Sequence, residues 1–185
     1  MFSFKKGVFM DFKDVVKNRR EITKFTNKAI PTETIEEIIQ QVSLSPTGNN
    51  LPSREFIIVK NRKTLDYLSE TTPFMKWLKE AQGAIVITGC PNISKYWLQD
   101  ASIASSYIWL AAVNEGLGCA FGAVFNITDE SETLQREDYV KNALSIPSDR
   151  KIVAILGLGY ISDQPAKKKV IPTEDIVHYE VFNQK

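Results

Sequence analysis

The sequence predicts an α+β fold, a sheet with helices packed on its faces. Three observations carry that reading. Ile35, Ile38, Ile39 and Val42 recur at the spacing of a helix with one buried stripe. Short apolar runs rich in β-formers, such as 56–59 and 84–88, are too brief for helices and read as buried strands. Helices and strands then follow one another without the strict βαβ rhythm of a wound parallel sheet. A length of 185 residues suits one domain over 1–185. Within it we read a core over 11–180, an extension over 1–10 and an extended tail over 165–185.

Residues 11–20 predict a short helix with Phe12, Val15 and Val16 on one face. Pro31 and Thr32 open the next helix, where Thr32 can cap and Glu33 sits in the first turn, and Pro46 and Gly48 end it. Residues 56–59 read as a central strand. Short helices follow over 62–69 and 74–80, the second opened by Pro73, and a second buried strand spans 84–88. Residues 96–115 form a long helix with Ala101, Ala104, Ser105 and Ala112 on one side. Such small residues suit either packing within the chain or a seam between two copies. Gly116 and Gly118 stop that helix. A strand over 119–125, a helix over 137–144 and a strand over 152–158 complete the core.

Composition excludes several classes of function. Lys and Arg number 23 and Asp and Glu 22, for a net charge of +1. That balance argues against a nucleic-acid partner and against a polybasic membrane binder. No run approaches 18 apolar residues and the first ten lack a signal-peptide core, so we expect a protein that neither spans a membrane nor is secreted. The two cysteines, Cys90 and Cys119, lie in apolar surroundings and read as buried free thiols, which suits a reducing cytoplasm. Without a Cys/His cluster no metal site is expected. The single histidine, His178, reads as structural.

Several segments could carry chemistry. Gly157-Leu158-Gly159 begins like a dinucleotide-binding loop, but Ser162 stands where the third glycine belongs and Asp163-Gln164-Pro165 opens no helix. We read it as a strand and turn. Arg19-Arg20 and Lys167-Lys168-Lys169 are basic clusters that could converge on one phosphate monoester, an anion that needs several fixed donors. The stretch from Ser45 to Ser53 is dense in hydroxyls, amides and turn residues. Asn50, both donor and acceptor, suits the edge of a planar ligand. The glycines of Gly116-Leu117-Gly118 and Gly122 allow close backbone approach to a flat ring.

Taken in order, these segments resemble the FMN-dependent nitroreductase family of NAD(P)H oxidoreductases. Its Arg-Arg-Ser-x-Arg-x-Phe is matched by Arg19-Arg20-Glu21-Ile22-Thr23-Lys24-Phe25, and its Ala-Pro-Ser-x-x-Asn loop by the stretch from Ser45 to Asn50. Gly116-Leu117-Gly118, Leu158-Gly159-Tyr160, the lysine patch and Glu174-Asp175-Ile176-Val177-His178 follow in the same order. The chain departs from the pattern at Glu21, Thr23, Pro52, Arg54 and Val170.

The resemblance implies a mostly antiparallel central sheet and an intertwined homodimer with FMN at the subunit interface. It implies that Arg19, Arg20, Thr23, Lys168 and Lys169 hold the phosphate end. Pro46, Thr47, Gly48 and Asn50 would reach the same flavin from the second copy. The backbone at Ala123 would face the ring. No catalytic side chain is implied, because flavin N5 carries the chemistry. NADH or NADPH would be the electron donor, and a nitroaromatic, quinone or similar small molecule the acceptor, in a ping-pong cycle. The departures also motivate a second reading, a flavin-binding protein or sensor without turnover, and a third, an interaction protein that kept the fold and lost the cofactor.

Overall fold

The computed structural model describes residues 10–182. Its centre is one antiparallel sheet of four strands: β1 (Arg54–Val59), β2 (Gly83–Gly89), β3 (Gly118–Ala123) and β4 (Lys151–Gly159). They lie in the order β1-β2-β4-β3, with Ile85 opposite Leu156 in the middle pair and Phe121 opposite Leu156 in the outer one. The expected mostly antiparallel sheet is therefore present. The helices are α1 (Phe12–Asn18), α2 (Thr32–Ser43), α3 (Arg62–Leu68), α4 (Trp97–Asn114), α5 (Glu130–Leu144) and α6 (Thr173–Ile176). Two 3₁₀ turns stand at Gly48–Asn50 and Pro73–Lys79.

Strands β2 and β4 are apolar apart from Thr88 and Lys151 because both of their faces are covered. Ile85 and Ile87 pack with Ile35, Ile38 and Ile108 of α2 and α4. Ala84 and Val86 point the other way, into a second cluster with Leu65, Trp77 and Val140. A bulge between Ile87 and Thr88 lets the neighbouring Val153 and Ala154 both face the first cluster. Residues 56–59 are not a central strand. They belong to β1 at the edge of the sheet, where Glu55 and Ile58 are exposed. An apolar run of four cannot by itself tell an edge from a centre.

Other boundaries shift for local reasons. Thr32 is the first residue of α2 and not its cap; its hydroxyl accepts from Lys60 Nζ at 3.0 Å. Helix α5 begins seven residues before the expected 137, because Asp129 caps it by accepting the Glu132 N–H at 2.8 Å. Its polar first turns show no apolar period to read. The segment 73–79 is 3₁₀ and not α, and the tail holds the short α6 where we expected extended chain. The small residues of α4, Ala101, Ala104, Ser105 and Ala112, are buried within this chain, so that stripe is core packing. The Gly-x-Gly of β4 is also explained by packing: a Cβ on Gly157 would meet Trp77 Cζ3 at 2.3 Å, and one on Gly159 would meet Phe25 Cδ1 at 2.6 Å.

Candidate functional site

The chain leaves α1 at Asn18, and the next three residues each find a partner on another element. The Arg19 guanidinium lies 4.6 Å from the ring centre of Trp109 on α4, a cation–π contact. Arg20 Nη1 donates to the carbonyls of Lys17 and Arg19, at 2.6 and 2.8 Å. Arg20 Nε donates to the carbonyl of Ala166 at 3.3 Å. Trp109 Nε1 closes the group by donating to the Arg20 carbonyl at 3.0 Å. Ala166 immediately precedes Lys167-Lys168-Lys169, all three exposed. The backbone just before the three lysines thus touches Arg20 near the end of α1.

Glu21 turns the other way. Its backbone forms a parallel bridge to Cys119, and its Oε1 accepts the Phe121 N–H at 2.9 Å. Phe121 is on β3, whose outer side pairs with no strand among the described residues. Desolvation pushes the Glu21 carboxyl above the usual carboxylate range, against the pull of the Phe121 amide and of Arg19. Ala123 lies two residues further along the same edge and is exposed. Arg136 Nη1 reaches its carbonyl at 3.4 Å. Thr23 is exposed, between the buried Ile22 and Phe25.

The turn after α2 is fixed from several sides. Asn49 and Asn50 both take the left-handed conformation, with φ of 55°. Gly48 lies against Tyr96, so close that a Cβ would stand 2.5 Å from Tyr96 Cδ2. Asp100, 2% exposed in the first turn of α4, accepts the Gly48 N–H at 2.8 Å and the Ser53 hydroxyl at 2.5 Å. Arg54 Nη2 donates to the Ser45 carbonyl and hydroxyl, each at 2.7 Å. Pro46 and Asn50 remain exposed, and Thr47 and Gly48 partly so.

Within one chain Arg20 touches Ala166 and Glu21 holds the β3 edge that leads to Ala123, while Pro46, Thr47, Gly48 and Asn50 belong to a separate turn tied to Asp100. Asp100 and Trp109 mark the two places on α4. Nine residues of helix separate them by roughly 14 Å along the axis. Asp100 and Trp109 had no signal in the sequence: Asp100 is the one acid of α4, and Trp109 is one of its three aromatics. His178 stacks on Phe182 with ring centres 4.2 Å apart, and Cys90 and Cys119 are buried free thiols, as expected. Burial pushes both thiols up. Among the described residues no cluster of His, Cys, Asp and Glu could hold a metal ion, and no helix is long and apolar enough to cross a membrane.

Comparison with known proteins places this arrangement. Residues 16–82 match the family model described as nitroreductase family. A Methanothermobacter thermautotrophicus relative named NADH dehydrogenase/NAD(P)H nitroreductase is 30% identical over 174 residues, 92% of this chain and 87% of that protein. The chain belongs to the nitroreductase family. Among solved structures, an FMN-dependent nitroreductase from Clostridium difficile R20291 superposes with a TM-score of 0.83 at 29% identity, covering 91% of this chain and 98% of its own. A Bacillus subtilis FMN reductase [NAD(P)H] is 24% identical over 187 residues, 89% of this chain and 72% of that protein.

Proposed function

We propose that the chain is an FMN-dependent oxidoreductase that takes electrons from NADH or NADPH and delivers them to a small acceptor such as a nitroaromatic or a quinone. The observation that carries this reading is the junction of Arg20 with Ala166, which sets two cationic segments at one end of an open strand edge. That arrangement suits a ligand with a phosphate at one end and a flat, hydrogen-bonding ring at the other. The FMN reductase and FMN-dependent nitroreductase names of the relatives point the same way.

The residues present fit FMN. Arg19, Arg20, Lys168 and Lys169 offer charge to its phosphate, and Thr23 a hydroxyl. Glu21, the departure that would oppose a phosphate, directs its Oε1 to the Phe121 amide. The exposed Ala123 backbone would meet the ring edge. Pro46, Thr47, Gly48 and Asn50 would reach a flavin bound by a second copy, in keeping with their separation from Arg19 and Arg20 within one chain. When bound, FMN supplies the redox chemistry, accepting a hydride from reduced nicotinamide and releasing electrons to the acceptor. The chain's own part would be to grip the phosphate and orient the ring. Donor and acceptor using one site in turn would give ping-pong kinetics.

A homodimer also fits the surface. An apolar groove of about 670 Å³ between α1, α2 and α4 is lined by Phe12, Leu44, Tyr107 and Leu110. Phe12 and Leu44 are 71% and 81% exposed in one chain. The tail carries Val170, Ile171, Val181 and Phe182, all exposed. A second copy would cover both.

The test is direct. Protein purified or reconstituted with FMN should show a flavin absorption spectrum. It should oxidise NADH or NADPH with a nitroaromatic or quinone acceptor, giving parallel lines in double-reciprocal plots. Colourless protein, inactive after reconstitution, sinks the reading. Flavin-loaded protein that no nicotinamide reduces favours binding without turnover.

A further inference from the structure

We propose that Asp100 is a positioning residue for the cofactor. Its buried carboxylate locks the turn at Gly48–Asn50 into the shape that presents Thr47, Gly48 and Asn50 to a flavin. The inference rests on the functional reading above and adds a residue that touches no ligand itself.

The turn has little to hold its shape on its own. Asn49 and Asn50 sit in consecutive left-handed conformations, which L-residues adopt only at a cost in backbone strain. The 3₁₀ segment is three residues long, closed by Asn50 N–H to Thr47 O at 3.1 Å and Leu51 N–H to Gly48 O at 3.2 Å. Such a turn keeps one conformation only if its surroundings impose it.

Asp100 imposes it from beneath. One carboxylate oxygen takes the Gly48 N–H at 2.8 Å and the other the Ser53 hydroxyl at 2.5 Å. Both ends of the turn are thereby tied to a single side chain on a long, well-packed helix. Ser53 is fully buried, and its carbonyl accepts the Cys90 N–H at 2.8 Å, so the far end is anchored to the end of β2. Tyr96 closes the fourth side, leaving room only for glycine at position 48. The carboxylate also faces Arg54, whose Nε is buried without a hydrogen-bond partner among the described residues. Charge attraction to Asp100 opposes the desolvation that lowers the Arg54 pKa.

Asp100 thus has two separable roles, a geometric one toward Gly48 and an electrostatic one toward Arg54, and two substitutions divide them. In Asp100→Asn, the amide oxygen can keep the Gly48 N–H while the amide nitrogen donates to Ser53 Oγ, which can accept. That variant keeps the turn and loses the charge. Asp100→Glu keeps the charge and moves the oxygens one methylene out of register.

The experiment is fluorescence titration of the apoproteins with FMN, beside thermal unfolding and the visible spectrum of the bound flavin. Asp100→Asn should bind FMN within about threefold of wild type, with an unchanged flavin spectrum and a lower Tm. Asp100→Glu should bind FMN at least about tenfold more weakly, the effect of losing a charge-assisted hydrogen bond. The reverse pattern, tight binding by Asp100→Glu and weak binding by Asp100→Asn, overturns the proposal. So does equal binding by all three proteins. If Asp100→Glu does not fold, exchange of the Gly48 amide in wild-type apoprotein decides. Slow exchange upholds the clamp, and exchange at the open-chain rate overturns it. Wild-type protein that binds no FMN overturns the functional reading and this inference together. Wild type that binds while Asp100→Glu binds equally well overturns this inference alone.

Discussion

Arg20 Nε and the carbonyl of Ala166 are 3.3 Å apart, although 146 residues separate them in the chain. The bond ties the loop after α1 to the start of the lysine tail. It brings together the backbones of two basic segments that composition alone would leave as unrelated patches.

If those segments hold a phosphate, the double variant Arg19→Ala/Lys168→Ala should bind FMN about a hundredfold more weakly, the loss of two charge-assisted contacts. Riboflavin, which lacks the phosphate, should bind wild type and variant alike. Parallel titrations measure both. Unchanged FMN affinity would remove these residues from the phosphate site.

A carboxylate deep in the second core cluster carries a structural prediction. Glu137 is 0% exposed; its Oε1 accepts the Ile152 N–H at 3.0 Å, and Lys141 and Lys151 sit at 3.2 and 3.4 Å from its Oε2. It stands in for a strand partner at the start of β4. Glu137→Ala leaves an amide and two partly buried ammonium groups without their acceptor, and should lower the unfolding free energy by about 3 kcal/mol. Urea denaturation reads this; a loss below about 1 kcal/mol would show that water replaces the carboxylate.

Glu21 gives the pH dependence a definite sign. Its folded pKa is raised, mainly by desolvation, so between the ordinary carboxylate value of about 4.3 and that raised value the folded chain binds more protons than the unfolded one. Stability from this group is fully present at low pH and declines as pH rises through the window. Glu21→Gln should flatten that slope in urea midpoints measured against pH. Glu55 runs the opposite way. The Arg150 hydrogen bond lowers its pKa, so its contribution is present above about 4.3 and is lost as pH falls through the lowered folded value. Arg150→Ala should abolish that acid limb.

The glycines of β4 separate packing from nucleotide recognition. Gly157→Ala places a methyl against Trp77 and should destabilise the fold by about 1–3 kcal/mol, the usual penalty of overpacking. The Michaelis constant for NADH or NADPH should stay at its wild-type value. A selective rise in that constant at unchanged Tm would restore the phosphate-loop reading.

Much of this architecture was legible because burial on both faces of β2 and β4 leaves unbroken apolar runs, and because Ile35, Ile38 and Val42 mark α2 by their period. What was not legible follows from the same physics. The edge position of β1 depends on which strands pair, and an apolar run of four carries no trace of its neighbours. The first turns of α5 are polar, so only the Asp129–Glu132 cap announces them. At the site, Arg19, Arg20 and the turn residues stood out by type and order. Asp100 did not, since its work depends on Gly48 and Ser53 folding onto α4 from roughly fifty positions earlier, a distance that no local pattern encodes.

The bond from Phe121 to the Glu21 carboxylate has a consequence for solubility. A sheet that ends on an unpaired strand invites foreign chains to add to it. Here a charged side chain already occupies one rung of that ladder, and the adjoining bridge at Cys119 fills another, so an intruding segment finds too few free amides in a row to dock. On the β3 border that guard spans the rungs at Cys119 and Phe121, and only the stretch toward Ala123 stays available.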